Sequence, residues 1–495
     1  MALDVTSYLL GKNSGGGGTP NLQAKTVEIT ENGTTNVSAD TGYDGLSNVG
    51  ITTNVQPNLE SKSVTITENT TTTITPTQGK DGLSSVSVTT NVASGGVSAK
   101  DVNFYDYDGT IINSYTKAEF LELSALPTNP SHSGLTSQGW NWTLTNAKNH
   151  VTKYNKLNVG QIYIPNDGST RFYLELNIER LSPILGFAVN GTATIDWGDG
   201  NTDTVTGTST STLIQTPHTY ATQGNYVISI SSESKIFFSG ENNASLIFNK
   251  VCYKDCVKKA EIGNASLGSY SFCDFYFLKT IILSNYVQNL GTYVFLNVKN
   301  LAFLIIPDGV TTLPAYGFGN SVLNTVVLPK SCTYISQQAF NNCKTLQNII
   351  FSDGTTDILS YCFNGTSLST LILPDSITNI ETSTFSGCPV TELNMSNGIR
   401  TLSSNAFSNC TSLVHIKMSS KISYISTNAF SNCTSALYYD FRDSTSIPTL
   451  QTTNAFNNIP DDCKIIVPDN LYENWIAAGN WNTYSSNIIK ASDWA

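Results

Sequence analysis

The sequence predicts a mainly β, multi-domain protein ending in a solenoid, on three observations. Between residues 272 and 456 a Phe recurs nine times (Phe272, Phe295, Phe318, Phe340, Phe363, Phe385, Phe407, Phe430 and Phe456), in steps of 22 to 26 residues. Residues 21–92 hold a second repeat, of period 37. Only 13% of residues are charged, net charge is −11, and Thr, Ser, Asn and Gly carry the polar side. A fixed period of about 20–50 residues marks stacked units that cannot bury an apolar side alone. At 495 residues the chain exceeds one compact core.

The long repeat has a readable physical form. One copy runs Leu323, Val326, Leu328, Pro329, then Cys332 and Ile335, then Ala339, Phe340, Asn341, Asn342 and Cys343. The next full copy runs Leu368, Leu371, Leu373, Pro374, then Ile377 and Ile380, then Thr384, Phe385, Ser386, Gly387 and Cys388. Apolar residues two apart make a short strand with both side chains inward. Pro ends it because it has no N–H for the ladder. The second apolar pair returns the chain, and the Phe drops a ring into the coil.

These residues resemble the BspA-type leucine-rich repeats, with the pattern L-xx-I-x-I-P, V-xx-I, A-F-x-x-C. The resemblance implies a solenoid over 262–468 with a C-terminal cap over 469–495, where Leu471, Trp475, Trp481, Tyr484 and Ile488 lie. It also implies a cell-surface or virion-surface protein that binds partners and is not an enzyme.

The remaining segments are read in chain order. Residues 1–20 form an anchor peptide and Gly hinge, in which Val5, Tyr8, Leu9 and Leu10 are the apolar candidates for docking on another subunit or stay a disordered terminus. Met1 to Lys12 lack a basic start, a long apolar run and a cleavage site, so a secretory signal is not expected. Residues 21–56 and 57–92 are two small β repeats: Val27, Ile29, Glu31 and Asn32 recur as Val64, Ile66, Glu68 and Asn69, and Asp44-Gly45-Leu46-Ser47 as Asp81-Gly82-Leu83-Ser84. Each is too small to stand alone and should pack on the other or on a partner. These elements resemble short repeats of phage tail and fibre proteins.

Residues 101–168 are expected to form a mixed α/β module. Thr116 and Glu119 have capping-box spacing, and a second helix is expected from Thr145 to Lys156. Trp140 and Trp142 are either small-domain core or an exposed pair for stacking on sugar rings. Residues 169–240 resemble a PKD-type, immunoglobulin-like sandwich, on Asp196-Trp197-Gly198-Asp199-Gly200 and His218-Thr219-Tyr220. Asp196, Asp199 and Asp203 suit either calcium or a turn whose carboxylates bond local amides, and the turn is favoured.

The composition excludes several functions. The chain shows no Lys/Arg cluster for nucleic acid, no apolar run that inserts in a membrane, no phosphate loop, no HExxH, and no cofactor or metal motif. All ten cysteines lie between 252 and 463, many on repeat columns, and small buried thiols are expected rather than a disulfide or metal ladder. Ile282, Ile305, Val327, Ile350 and Ile372 sit between the inward positions of successive strands and should face outward as an aliphatic stripe. The stripe is either covered by neighbouring side chains or a contact face for a domain or subunit.

The expectation is a phage virion surface protein of tail-fibre or receptor-binding type. Its N-terminus would dock on other virion proteins, and its solenoid would meet a host-cell surface protein or glycan. A bacterial cell-surface adhesin and a purely structural decoration protein are the alternatives, and self-association is left open.

Overall fold

A computed structural model describes residues 99–494 apart from 242–243, 246 and 249–250, with backbone alone at 241, 244–245 and 251–252 and in six strands between 22 and 91. Val5, Tyr8, Leu9 and Leu10 therefore lie outside the described residues. Met1–Lys100 with Thr110–Ser114 form one compact unit, and the remainder forms the other.

In the first unit, β1 (Leu22–Ile29), β2 (Thr35–Val37) and β3 (Gly45–Thr53) are followed by β4 (Leu59–Thr67), β5 (Thr72–Ile74) and β6 (Gly82–Asn91). Each start is displaced by 37 residues, the period read from the sequence. β1 pairs with β3 and β4 with β6, both in parallel, and β2 joins β5 antiparallel across the two copies. The second copy is thus tied to the first by main-chain hydrogen bonds, as units too small to stand alone require.

The second unit starts at β7 (Val102–Tyr105), with β8 (Ile111–Tyr115) next in the chain. Helix α1 (Lys117–Glu122) begins at Thr116, and the reciprocal bonds of a capping box are both made. Strand β9 (Leu135–Trp140) precedes α2 (Leu144–Tyr154), and β10 (Leu157–Pro165) pairs with β7 in parallel and β9 antiparallel. Phe104, Phe120, Trp142, Val151 and Val159 fill a small core between the helices and this sheet.

Strands β11 (Thr170–Leu176), β12 (Ile184–Asp196), β13 (Thr202–Pro217), β14 (Gly224–Ser232) and β15 (Ile236–Phe238) follow. After them come β16 (Gly240–Glu241), β17 (Ala244–Ser245), α3 (Val251–Lys254), β18 (Val257–Ile262), β19 (Ala265–Leu267) and β20 (Thr280–Leu283). One hydrogen-bonded path runs β19-β15-β12-β14-β11-β18-β20, with β13 on β12. Pairing is antiparallel between β11 and β18 and turns parallel between β18 and β20, where the coils begin. A single apolar core runs from Phe172 to Ile488, so the sheet of 170–262 and the repeats share one interior.

In the tight turn at Trp197 the Asp side chains serve local bonds. Asp196 accepts the Gly198 N–H at 2.8 Å, and Asp199 accepts that of Asn201 at 3.0 Å. Asp203 accepts Trp197 Nε1–H at 2.8 Å, while His218 stacks on the Trp197 ring at 4.5 Å.

The repeats form the solenoid that the Phe interval predicts. All nine Phe rings are at most 1% exposed. Successive rings stack with centroids 4.8 to 5.7 Å apart and planes within 20°. The main chain is locked at the same level: Phe385 N–H donates to Ala406 O at 3.0 Å and Phe407 N–H to Ala429 O at 2.8 Å. To turn the ring inward, the residue two before the Phe takes a left-handed conformation in coil after coil, as at Asn405 (φ 59°) and Asn428 (φ 57°). The residue two after it does the same at Asn409 and Asn432. Asn tolerates this region better than most residues with a Cβ. The second set also forms a ladder, with Asn432 Nδ2 donating to Asn409 Oδ1 at 2.8 Å and Asn458 Nδ2 to Asn432 Oδ1 at 2.7 Å.

The column cysteines each close one main-chain carbonyl. Cys388 Sγ lies 3.2 Å from Phe363 O, Cys410 Sγ 3.2 Å from Phe385 O and Cys433 Sγ 3.4 Å from Phe407 O. Nine cysteines among the described residues are buried and unbridged. Burial pushes Cys343 up to about 11 and Cys388 and Cys433 up to about 12, which suppresses the reactive thiolate.

Candidate binding face of the repeat sheet

The strands of the coils line one face of the solenoid, and their middle residues point away from the core. The first part of this face is not free. β10 packs over β20 and over the next two strands, Phe303–Ile305 and Thr325–Val327. Ile162 of β10 forms a small cluster with Ile305 and Val327, and the Tyr105 and Phe303 rings meet at 5.3 Å. Gly160 is needed here, since a Cβ on it would stand 2.5 Å from Ile305 Cγ2. Buried polar bonds fix the register: Asn141 Nδ2 donates to Ile306 O at 3.3 Å and Trp142 Nε1 to Leu328 O at 2.8 Å.

Here the outward stripe is covered by another part of the same chain, within the alternatives set out for it. Ile282, Ile305 and Val327 are 3%, 7% and 0% exposed, buried beneath the chain's own β10 because aliphatic side chains gain most by leaving water. Ile350 and Ile372, further along, are half-buried. The exposed-Trp alternative is corrected. Trp142 is 3% exposed and donates Nε1–H to Leu328 O at 2.8 Å. Trp140 donates to Pro127 O at 2.9 Å and meets the Phe104 ring edge-on at 5.0 Å. Both indoles hold the mixed segment together, so neither offers a free platform to a sugar.

Beside Trp142 lies His150, 1% exposed, with its ring between Trp142 and Tyr154 at 5.2 and 4.9 Å. Burial first, and then the charge of Lys330, lowers its pKa to about 4. The unfolded chain takes up this proton near the ordinary value of about 6.5. Stability from a neutral His150 is therefore complete above about 6.5 and is lost as pH falls towards 4. The expected loss is about 3 kcal/mol. Denaturant midpoints measured from pH 7.5 to 4 should show this slope, and His150→Leu should flatten it. An unchanged slope in the variant would assign the effect elsewhere.

Past Ile372 the face changes character. Its middle positions become Asn394, Lys417 and Asp440, the first two exposed. Two residues earlier on each strand, on the same face, stand Glu392, His415 and Tyr438. His415 stacks on Tyr438 at 4.9 Å, and Trp494 meets Tyr438 at 5.3 Å and 60°. Lys417 pairs with Asp443 at 3.1 Å, both about half exposed, so the pair is cheap to break. His415, Tyr438 and Trp494 are absent from the sequence expectation. The signal was the column two places before each middle residue, which passes from Thr370 through Glu392 to two rings. Amphipathic aromatics amid mixed charges are what partner-binding surfaces use.

A parallel-stranded coil array with an inward Phe column and one open strand face defines a leucine-rich-repeat solenoid. Residues 265–391 and 378–474 match the family described as BspA type leucine rich repeat region, in six copies. Similar solved structures include the leucine-rich repeat protein of T. pallidum, 21% identical over 33% of this chain and 79% of that one, with a TM-score of 0.30. A leucine-rich cell surface protein of Faecalibacterium prausnitzii is 17% identical over 53% of this chain and 96% of that one, with a TM-score of 0.31. The pneumococcal vaccine antigen PcpA is 17% identical over 47% of this chain and 66% of that one, with a TM-score of 0.32. No curated protein matches the sequence.

Proposed function

We propose that the chain is a non-enzymatic adhesive surface protein that holds its partner on the distal part of the repeat sheet. The observation that carries this is the division of one sheet face: the part bearing Ile282, Ile305 and Val327 lies under β10, and the part bearing Asn394, Lys417 and Tyr438 does not. The BspA-type repeat region supports it, since such repeats occur in cell-surface proteins. Binding would be reversible, with weak contacts multiplied by copy number on the carrier. The partner is a cell-surface protein or glycan. Among the described residues no helix is long and apolar enough to cross a membrane.

The carrier in this reading is a bacterial cell surface. A virion is the second reading, favoured by the duplicated strands of residues 22–91, whose sequence elements resemble phage tail repeats. Recovery of the chain from cell envelopes or from purified virions decides between them.

The test of the contact face is the double variant Lys417→Glu with Tyr438→Ala in the full chain. It should lower adhesion to bound cells at least tenfold and leave the thermal midpoint in place. Adhesion equal to the parent would remove this face from the reading.

A further inference from the structure

We infer that the chain pairs with a second copy of itself through the open edge of β13, joining two molecules into one continuous antiparallel sheet. This surface is separate from the distal repeat sheet and does not rest on it.

Three observations carry the inference. First, β13 is a long strand with one free side. It runs for 16 residues, and among the described residues it pairs with β12 alone. Its neighbours in the sheet are flanked on both sides: β12 by β13 and β14, β14 by β12 and β11, and β11 by β14 and β18. From Thr202 to Ser209 the register with β12 is unbroken, matching Asp196 to Val189 residue for residue. An edge strand turns the N–H and C=O of every second residue away from its partner, so about four of each are left to solvent along this segment.

Second, the edge lacks most of the devices that keep such strands apart. Natural edges carry Lys or Pro, are short, or bulge away. From Thr204 to Thr216 β13 has no charged residue and no Pro. Its one irregularity lies at 210–213, between Ser209 and Ile214, the partners of Val189 and Phe187. That bulge ends the regular edge at Ser209 and confines strand addition to the segment from Thr202 to Ser209.

Third, the edge fits itself. Thr202, Thr204, Thr206 and Thr208 are exposed, while Asp203, Val205, Gly207 and Ser209 are half-buried, with Val205 packed on the common core. Two such strands running antiparallel about a two-fold axis at Val205 set Thr204 opposite Thr206 and Thr202 opposite Thr208. Facing Thr side chains stabilise a strand pair. Asp203 is the one charge on the segment and is already engaged by Trp197 Nε1–H at 2.8 Å. It falls opposite Gly207, so no like charges meet. A two-fold contact uses the same edge on both copies and closes the assembly at two. A foreign peptide is the poorer occupant. Strand addition selects a peptide through pockets for its alternate side chains, and a row of short Thr side chains builds none.

The test is sedimentation equilibrium of the full chain across a wide dilution series, with the thermal midpoint as the control for folding. The parent should sediment as a dimer that dissociates on dilution. T204K with T206K, both on the exposed row, sets like charges opposite one another and should weaken the dimer by about tenfold or more with the midpoint unchanged. T204E with T206E should do the same. Mixing the two double variants should restore a dimer, because Lys then faces Glu across the axis, which a contact elsewhere on the molecule would not reproduce. A parent that stays monomeric at every concentration, a dimer that persists in both double variants, or a mixture that stays monomeric would each overturn the proposal.

Discussion

Replacing Phe363 by Ala should destabilise the repeat array by about 3–5 kcal/mol, the loss expected when a large buried ring leaves a packed core. The ring is fully buried and stacks on Phe340 at 5.3 Å and on Phe385 at 5.6 Å, with Phe351 edge-on at 5.6 Å. A cavity here breaks the column in mid-array, and neither neighbour can close on it while its own coil is tied by main-chain bonds. The effect should spread, because each coil is stable only against the next. Urea denaturation of the full chain measures it, with Phe363→Leu as the milder control. A loss below about 1 kcal/mol would mean that the ring column is not the spine of the array.

Trp142→Ala should cost a similar amount, about 3–5 kcal/mol, by a different route. The indole fills the small core with Phe104 and Val151 and also reaches Leu328 O in the coils. Truncation empties the one and leaves the other carbonyl without its donor. The expected result is a lowered midpoint together with faster proteolysis in residues 115–165. Trp142→Phe should keep most of the volume and lose about 1–2 kcal/mol for the missing hydrogen bond. Glycan binding that falls in Trp142→Phe with the fold intact would restore the indole as a sugar platform.

The solenoid was legible because its information is local and repeated. Leu and Val two apart, a Pro stop and a Phe at fixed interval name inward positions without reference to the rest of the chain. The helix starting at Thr116 was legible for the same reason, since a capping box spans only four residues. The aliphatic stripe was read to its positions, with its cover left open between neighbouring side chains and a domain or subunit. Ile305 and Val327 do leave the coil interior, but what they meet is Ile162, more than 140 residues earlier in the chain. The contact with Gly160 is equally silent in the sequence, where one Gly in a strand is only a weak sign of close approach.

What the sequence by itself determined is therefore the repeat: its register, its ring column and its small buried thiols, all consequences of period and side-chain size. Tertiary structure alone decided which part of the strand face stays open. It also left one edge of β13 without a partner among the described residues. The physical reason is that burial and proximity between distant segments depend on how whole layers pack, and no local pattern of residues encodes that.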